Sequence, residues 1–371
     1  MTETLSPSGA IESTIAQYKA RLHTFYYESI APNIGLLFIV LSQFFNSIMV
    51  TTTKLLETDP DQTGPPIHPF QILFVRMIIT FAGCFTYLKF YKKEEQIWGP
   101  PSLRFWLVLR GLTGFVGVFS MYYSLLYLSV SEATVITFLV PSVTGFLAWV
   151  ILRERWSLIE AGGALISLVG VMLIARPSFI FGSAGADAGE GADVDSANRL
   201  KATLMALFGV CGASGVYIVI RFIGKRVHSL VMVQYFAGIT VLISLAGTIL
   251  VPGLGFRVPQ SGRQWFLFFA LGISGFFMQF LLTEGIQREK ASRASMMLYS
   301  QMVYALIWEV TIWHHLPSFW SWLGIFIILT AAFVVVTHKP KEVTKLPDDE
   351  MPYSDLENDS TDTDGAEALR L

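Results

Sequence analysis

Apolar residues run along the chain in ten long stretches set apart by short polar breaks. They fall near residues 34–56, 69–89, 105–128, 132–152, 157–176, 202–223, 230–251, 265–287, 294–313 and 318–337. At about 1.5 Å of rise per residue, a helix of each length crosses the ~30 Å hydrocarbon core of a bilayer. Lipid offers no partner to open backbone groups, so every stretch is predicted to be a helix. The shortest break lies between the third and fourth stretches, where only LSVSE (Leu128 to Glu132) intervenes. The predicted fold class is therefore an all-α integral membrane protein with ten transmembrane helices.

Three regions fall outside this pattern. Residues 1–33 are mixed and polar, without the basic start, short apolar core and small-residue end of a signal peptide. Residues 177–201 include the Gly/Ala/Asp-rich run FGSAGADAGEGADVDSAN and read as a flexible linker. Residues 338–371 are rich in Asp and Glu and read as a disordered tail. The sequon at Asn358 lies in that tail, on the predicted cytosolic side, where it is expected to go unused.

Composition agrees with the pattern. Hydrophobic types supply 53% of the 371 residues and charged types only 15%, against about 25% charged in an average soluble domain. That balance argues against a cytosolic enzyme and against a secreted disulfide scaffold. A net charge of −2 leaves no basic excess for nucleic acid. The two cysteines, Cys84 and Cys211, both sit in apolar stretches and are expected to be small buried hydrophobes.

Charge also orients the chain. With the N-terminus inside, sixteen Lys and Arg flank the spans on the inner side and five on the outer. Positive residues concentrate on the cytosolic side of membrane proteins, so both termini are expected in the cytosol. Trp106, Trp156, Trp265, Trp313 and Trp320 stand at span ends, where an indole ring suits the headgroup zone.

The two halves resemble each other. RGLTGF from Arg110 lies on LGISGF from Leu271, a shift of 161. The same shift carries Phe119 onto Phe280, Ser131 onto Ser292, Ala133 onto Ala294, Ser157 onto Ser318 and Gly163 onto Gly324. The first spans need a shift of 167, which matches Ser47 to Ser214 and Lys54 to Arg221. Five spans per half is an odd number, so equivalent helices cross in opposite directions. The predicted architecture is two inverted five-helix repeats, residues 34–176 and 202–337, a build found in secondary transporters.

One segment carries a family resemblance: VSEATVITFLVPSVTGFLAWVILRERWSLIEAGGALISLVGVMLI. A short polar link, a mid-span proline (Pro141), a charged turn (Arg153, Glu154, Arg155), a turn serine (Ser157) and a Gly-rich fifth span follow in order. The chain resembles the drug/metabolite transporter superfamily with two EamA-type repeats, most closely solute carrier family 35 subgroup G. The resemblance covers about residues 34–337 and implies ten helices, alternating access, cytosolic termini and, in many members, a homodimer. In the second repeat Pro141 aligns with Met302 and Glu154 with His315, so the motif is incomplete there.

Charges inside a span are costly and mark pathways or partners. Lys54, Arg76, Glu132 and Glu309 lie toward the outer boundary; Arg110, Arg221, Glu160 and Glu284 lie toward the inner one. They are expected to form two gate networks and a cationic rim for an anionic substrate. Lys54, Arg221, Arg110 and Glu160 are also close enough to span ends to snorkel. Glu284 and Arg288 are four apart and suit an ordinary helix-face ion pair. Arg76 and Glu309 are expected to pair across the bundle; proton uptake by Glu309 is the other reading of that residue.

Gln43, Asn46, Tyr122, Tyr123, Tyr217, Gln279, Tyr299, Gln301 and Tyr304 lie nearer mid-depth and could hold a sugar, base or planar acid. Each could equally serve as a helix–helix hydrogen bond. Pro141 is the expected hinge. Gly111, Gly114, Gly272 and Gly275, with Gly209, Gly212 and Gly215, are expected to let helices approach closely.

No phosphate-binding G-x-x-x-x-G-K motif and no His/Cys cluster appears, so neither ATP hydrolysis nor a metal or other cofactor is expected. The expected function is a non-enzymatic secondary carrier for a small, polar, anionic molecule such as a nucleotide sugar, nucleotide or organic acid. Its expected place is the plasma membrane or an endomembrane, with the lipid bilayer and that solute as partners. An intramembrane transferase acting on lipid and a non-transporting scaffold are the rival readings. The transferase would need a catalytic cluster at membrane depth that the spans do not contain.

Overall fold

A computed structural model describes residues 33–57, 69–91, 97–125, 127–128, 130–154, 156–175, 196–250, 258–259, 261–312, 314 and 318–337. These carry helices α1 (Ile34–Glu57), α2 (Pro69–Thr86, continued by a π-helical turn Tyr87–Tyr91), α3 (Arg104–Leu125), α4 (Val130–Thr137), α5 (Val140–Ile151) and α6 (Leu158–Ala175). The second half carries α7 (Ser196–Ile223), α8 (Ser229–Leu250), α9 (Gly262–Arg288), α10 (Ala291–Met296), α11 (Ser300–Ile312) and α12 (Phe319–Thr337). Nine helical stretches among the described residues are long and apolar enough to cross a membrane, α4 and α5 counting as one. The tenth crossing is α10 with α11. The expected tails and most of the expected linker lie outside the described residues.

The outer surface is that of a membrane protein. Phe266, Phe269, Phe326 and Phe333 are each more than 60% exposed, an arrangement suited to lipid rather than water. Cys84 is fully buried as expected, but Cys211 is exposed on α7, which corrects the expectation for that residue. Small apolar side chains lose nothing by facing lipid.

Helices pair across the repeats. The main contacts join α1 to α9, α3 to α7, α6 to α12 and α2 to α8, and every pair takes one member from each half. Glycines allow it. A Cβ on Gly285 of α9 would stand 2.7 Å from the Gly35 carbonyl of α1, and one on Gly170 of α6 would stand 2.9 Å from the Gly324 carbonyl of α12. Gly212 faces Thr113 and Gly117 of α3 as closely, with both backbones 3.0 Å from its Cβ position. The duplicated Gly pair works as predicted: Gly111 and Gly114 receive Ile239 and Phe236 of α8, while Gly272 and Gly275 receive Ile79 and Arg76 of α2. Close packing substitutes for the hydrophobic drive that lipid abolishes between helices.

The fourth crossing is broken in both halves. The first break parts α4 from α5 at Phe138 and Leu139; the second is the 3-10 turn Met297–Tyr299. The shift of 161 places Phe138 on Tyr299, and these two rings stack at 5.5 Å and 17°. The Tyr299 hydroxyl is shared between the Phe138 and Ala164 carbonyls, both at 3.1 Å. Pro141 sits in the first turn of α5, where its missing N–H leaves no helical bond unmade. The second half breaks at the same place with Met302 instead, so the break belongs to the repeat and not to the proline alone.

Candidate functional site

One end of the bundle is where α1 begins; it is called here the tail end, and the opposite one the linker end. At the tail end the halves are stitched together by carboxylates. Glu154, in the turn after α5, accepts from Arg221 Nε at 2.8 Å and from the Ala291 backbone N–H at 3.0 Å. Both donors belong to the second half. Glu160 accepts from the Ser292 hydroxyl at 2.9 Å and from the Ser157 N–H at 3.4 Å. Ser157 in turn accepts from the Glu160 N–H at 3.3 Å. The S-x-x-E spacing is thus a reciprocal helix cap that also reaches across to the other repeat. Glu160 is therefore bonded into the tail-end contact and does not snorkel.

The second half has its own ties at this end. Gln287 donates to the Gly224 and Val227 carbonyls at 2.6 and 2.9 Å. Arg293 donates to the Val335 and Val336 carbonyls at 3.1 and 3.2 Å and lies 3.7 Å from Glu289. The expected pair Arg288–Glu284 forms at 2.5 Å.

About 9 Å further in, by helical rise, lies a layer of buried polar groups. Arg110 of α3 is 1% exposed. It donates to Gln279 Oε1 at 3.0 Å and holds its guanidinium 4.4 Å from the Phe236 ring centre. It makes no ion pair with any described residue, and its Nε–H has no acceptor there. At similar depth the Tyr217 hydroxyl and both ends of the Gln234 amide are buried without partners among the described residues. Ile39 packs on Gly285, and that antiparallel register carries Gln43 of α1 near the level of Gln279. Gln43 accepts from Asn46 at 3.2 Å and donates to Ser42 at 3.1 Å.

Above this layer, α1 is flanked by α9 and α11. Phe44 meets Tyr304 edge-on at 5.5 Å, and Trp308 donates its indole N–H to Ser47 at 2.9 Å. The helix face between those contacts carries Gln43, Asn46, Val50 and Lys54. It is buried at Gln43 but open at Val50 and Lys54. This face descends from the linker end toward the polar layer.

The predicted site residues are thus spread over three levels. Arg221 joins the tail-end contact, Arg110 the polar layer, and Lys54 the exposed linker-end face of α1. Arg76 is buried against Gly275 of α9. Gln301 is half-buried on α11, one turn before Tyr304. Tyr299 is committed to the crossing of the two broken helices. Tyr122 lies on α3 and Glu309 on α11, but their side chains, and with them the expected Arg76–Glu309 pair, lie outside the described residues. Sequence reasoning passed over Gln234 and Trp308 and gave Glu154 no site role. For Glu154 the signal was its place in the charged turn between α5 and α6; its partner Arg221 lies 67 residues away. Among the described residues no group of His, Cys, Asp or Glu could hold a metal.

Comparison with known proteins fits this architecture. The model of the EamA-like transporter family matches residues 33–176 and again 200–337, the two repeats seen here. An uncharacterised membrane protein of Saccharomyces cerevisiae is 50% identical over 86% of this chain and 80% of its own. Human solute carrier family 35 member G1 is 28% identical over 78% of this chain and 75% of its own. A crystal structure superposes with a TM-score of 0.65, covering 82% of this chain and 96% of that one at 18% identity, a likeness of fold alone. With two matched repeats, ten membrane crossings and polar groups buried where the halves meet, the chain belongs to the EamA-like transporter family, in the drug/metabolite transporter superfamily and close to the subgroup G proteins of solute carrier family 35.

Proposed function

We propose that this multi-pass membrane protein is a secondary carrier for a small anionic metabolite, of the nucleotide-sugar, nucleotide or organic-acid kind. The observation that carries this reading is Arg110: a fully buried guanidinium with an amide and an aromatic face for company and no carboxylate among the described residues. Burying an uncompensated charge costs several kcal/mol. An anionic solute entering the layer would recover that cost, and it would also find Tyr217 and Gln234 with hydrogen bonds unmade.

The tail end is assigned to the cytosol by the bias of positive charge. The conformation seen is then latched on the cytosolic side by Glu154 and Glu160, with Lys54 at the opposite mouth. Sequence equivalence gives the other end no matching latch, because Lys54 stands for Arg221 and His315 for Glu154. Breaking Glu154–Arg221 while the halves rock about the two broken crossings, with Pro141 as a hinge, would carry the layer from one side to the other. Arg76, Gln301, Tyr122 and Glu309 are read as substrate-binding residues along that route.

Flux into proteoliposomes, measured with labelled nucleotide sugars, nucleotides and carboxylates, tests this. Wild type should move at least one of these anions. Arg110→Ala should lose more than tenfold in rate, and Arg110→Lys should keep part of it. Anion transport by Arg110→Ala at the wild-type rate, or transport of neutral and cationic solutes only, would overturn the assignment.

A further inference from the structure

A cavity of about 600 Å³ opens at the tail end beside the latch, lined by Trp149, Val150, Arg153, Glu154 and Trp156. It lies on the outer side of α5, away from the polar layer. Arg153 is exposed and makes no ion pair with any described residue. Glu154 contributes little negative charge to the cavity, since it is spent on Arg221 and the Ala291 N–H. Among the described residues the cavity therefore presents one uncompensated cation, with two tryptophans in the same lining.

The backbone at this position is strained for a side chain. Arg153 has φ of 55°, the left-handed region that favours glycine. Its position is set by the turn that closes α5, in which the Leu152 and Glu154 N–H groups both donate to the Ala148 carbonyl, at 3.0 and 3.2 Å. His314, its equivalent under the shift of 161, has the same φ of 55°, so the turn belongs to the repeat, and glycine would serve it at Arg153 without strain. Below it, Phe146, Trp149, Val150 and Ile151 are each at least half exposed and form an apolar strip continuous with the cavity. An exposed cation at the end of α5, with two tryptophans and an apolar strip beside it, suits a phosphate at the surface joined to a chain in the hydrocarbon.

We infer that this cavity is a binding site for an anionic phospholipid of the tail-end leaflet, with the headgroup phosphate on Arg153 and an acyl chain along α5 past Trp149. The site adjoins Glu154, so its occupancy bears directly on the turn that holds the latch. It does not depend on what the carrier moves.

Fluorescence quenching by brominated lipids tests it, with the Trp149 signal taken as the difference between wild type and Trp149→Phe. In bilayers mixing phosphatidylserine with phosphatidylcholine, bromines on the serine lipid should quench Trp149 as though it were enriched about fivefold beside the ring. Arg153→Gly should bring that enrichment close to one. The same variant should unfold in neutral detergent at the wild-type temperature or above, because glycine relieves the turn, so a loss of enrichment is not a loss of fold. Four results would overturn the site: equal quenching by both lipids; enrichment unchanged in Arg153→Gly; loss of enrichment on adding millimolar inorganic phosphate, which would make it a free-anion site; or a wild-type Trp149 signal that neither lipid quenches together with cross-linking of Trp149→Cys chains to each other, which would make it a contact between two copies.

Discussion

Arg221 and Glu154 meet at 2.8 Å with 28% and 14% of their side chains still exposed, so water screens part of their attraction. A pair of this kind is worth at most about 1 kcal/mol, enough to bias two conformations but not to lock one. Glu154→Gln keeps an oxygen for the Ala291 N–H and loses the charge. Spin labels at Leu158 and Lys225, one on each half, should then show the longer tail-end distance populated up to about fivefold more. An unchanged distance distribution would remove Glu154 from the latch. Tyr299→Phe acts on a different kind of contact. It strips a hydroxyl shared by two buried carbonyls, so it should lower stability by about 1 kcal/mol, read from unfolding in mixed detergent. The carbonyls at Phe138 and Ala164 could not be named in advance, because a tyrosine in an apolar stretch reads the same whether its hydroxyl meets a backbone or a solute.

Whole helices depend on a few positions without side chains. Gly285→Ala would drive a methyl group against the Gly35 carbonyl and Ile39 and part α1 from α9. It should cost about 2 kcal/mol or more, visible as a lower yield of monodisperse protein. Gly162→Ala is the control: nothing lies within 4 Å of the added methyl, and a helix-interior alanine should stabilise by about 0.5 kcal/mol. The glycine spacing that separates these outcomes was legible as duplicated motifs, but which helix each motif receives was not. Pro141→Ala should leave the fourth crossing broken, since the second half breaks at Met297–Tyr299 without any proline. A continuous helix through Leu139 in a structure of that variant would contradict the symmetry.

For the molecule as a whole, topology is the property most open to direct test. Single cysteines at Lys92, Lys225 and Lys290 should all be labelled by an impermeant maleimide from the same side of a sealed vesicle, and one at Lys54 from the other. Labelling of Lys92 and Lys225 from opposite sides would end the inverted-repeat reading. The sequence alone determined the number of crossings and the duplication, because the length of an apolar run is set by bilayer thickness and a repeat of five spans is an odd count. Those are one-dimensional quantities. Which halves touch, and what each buried charge meets, were decided only in three dimensions. Arg110 finds Gln279 at a separation of 169 residues and Glu154 finds Ala291 at 137, and no local pattern encodes a partner so far away. Tertiary packing had to bring the two repeats together before a row of charges became a tail-end contact and a buried polar layer.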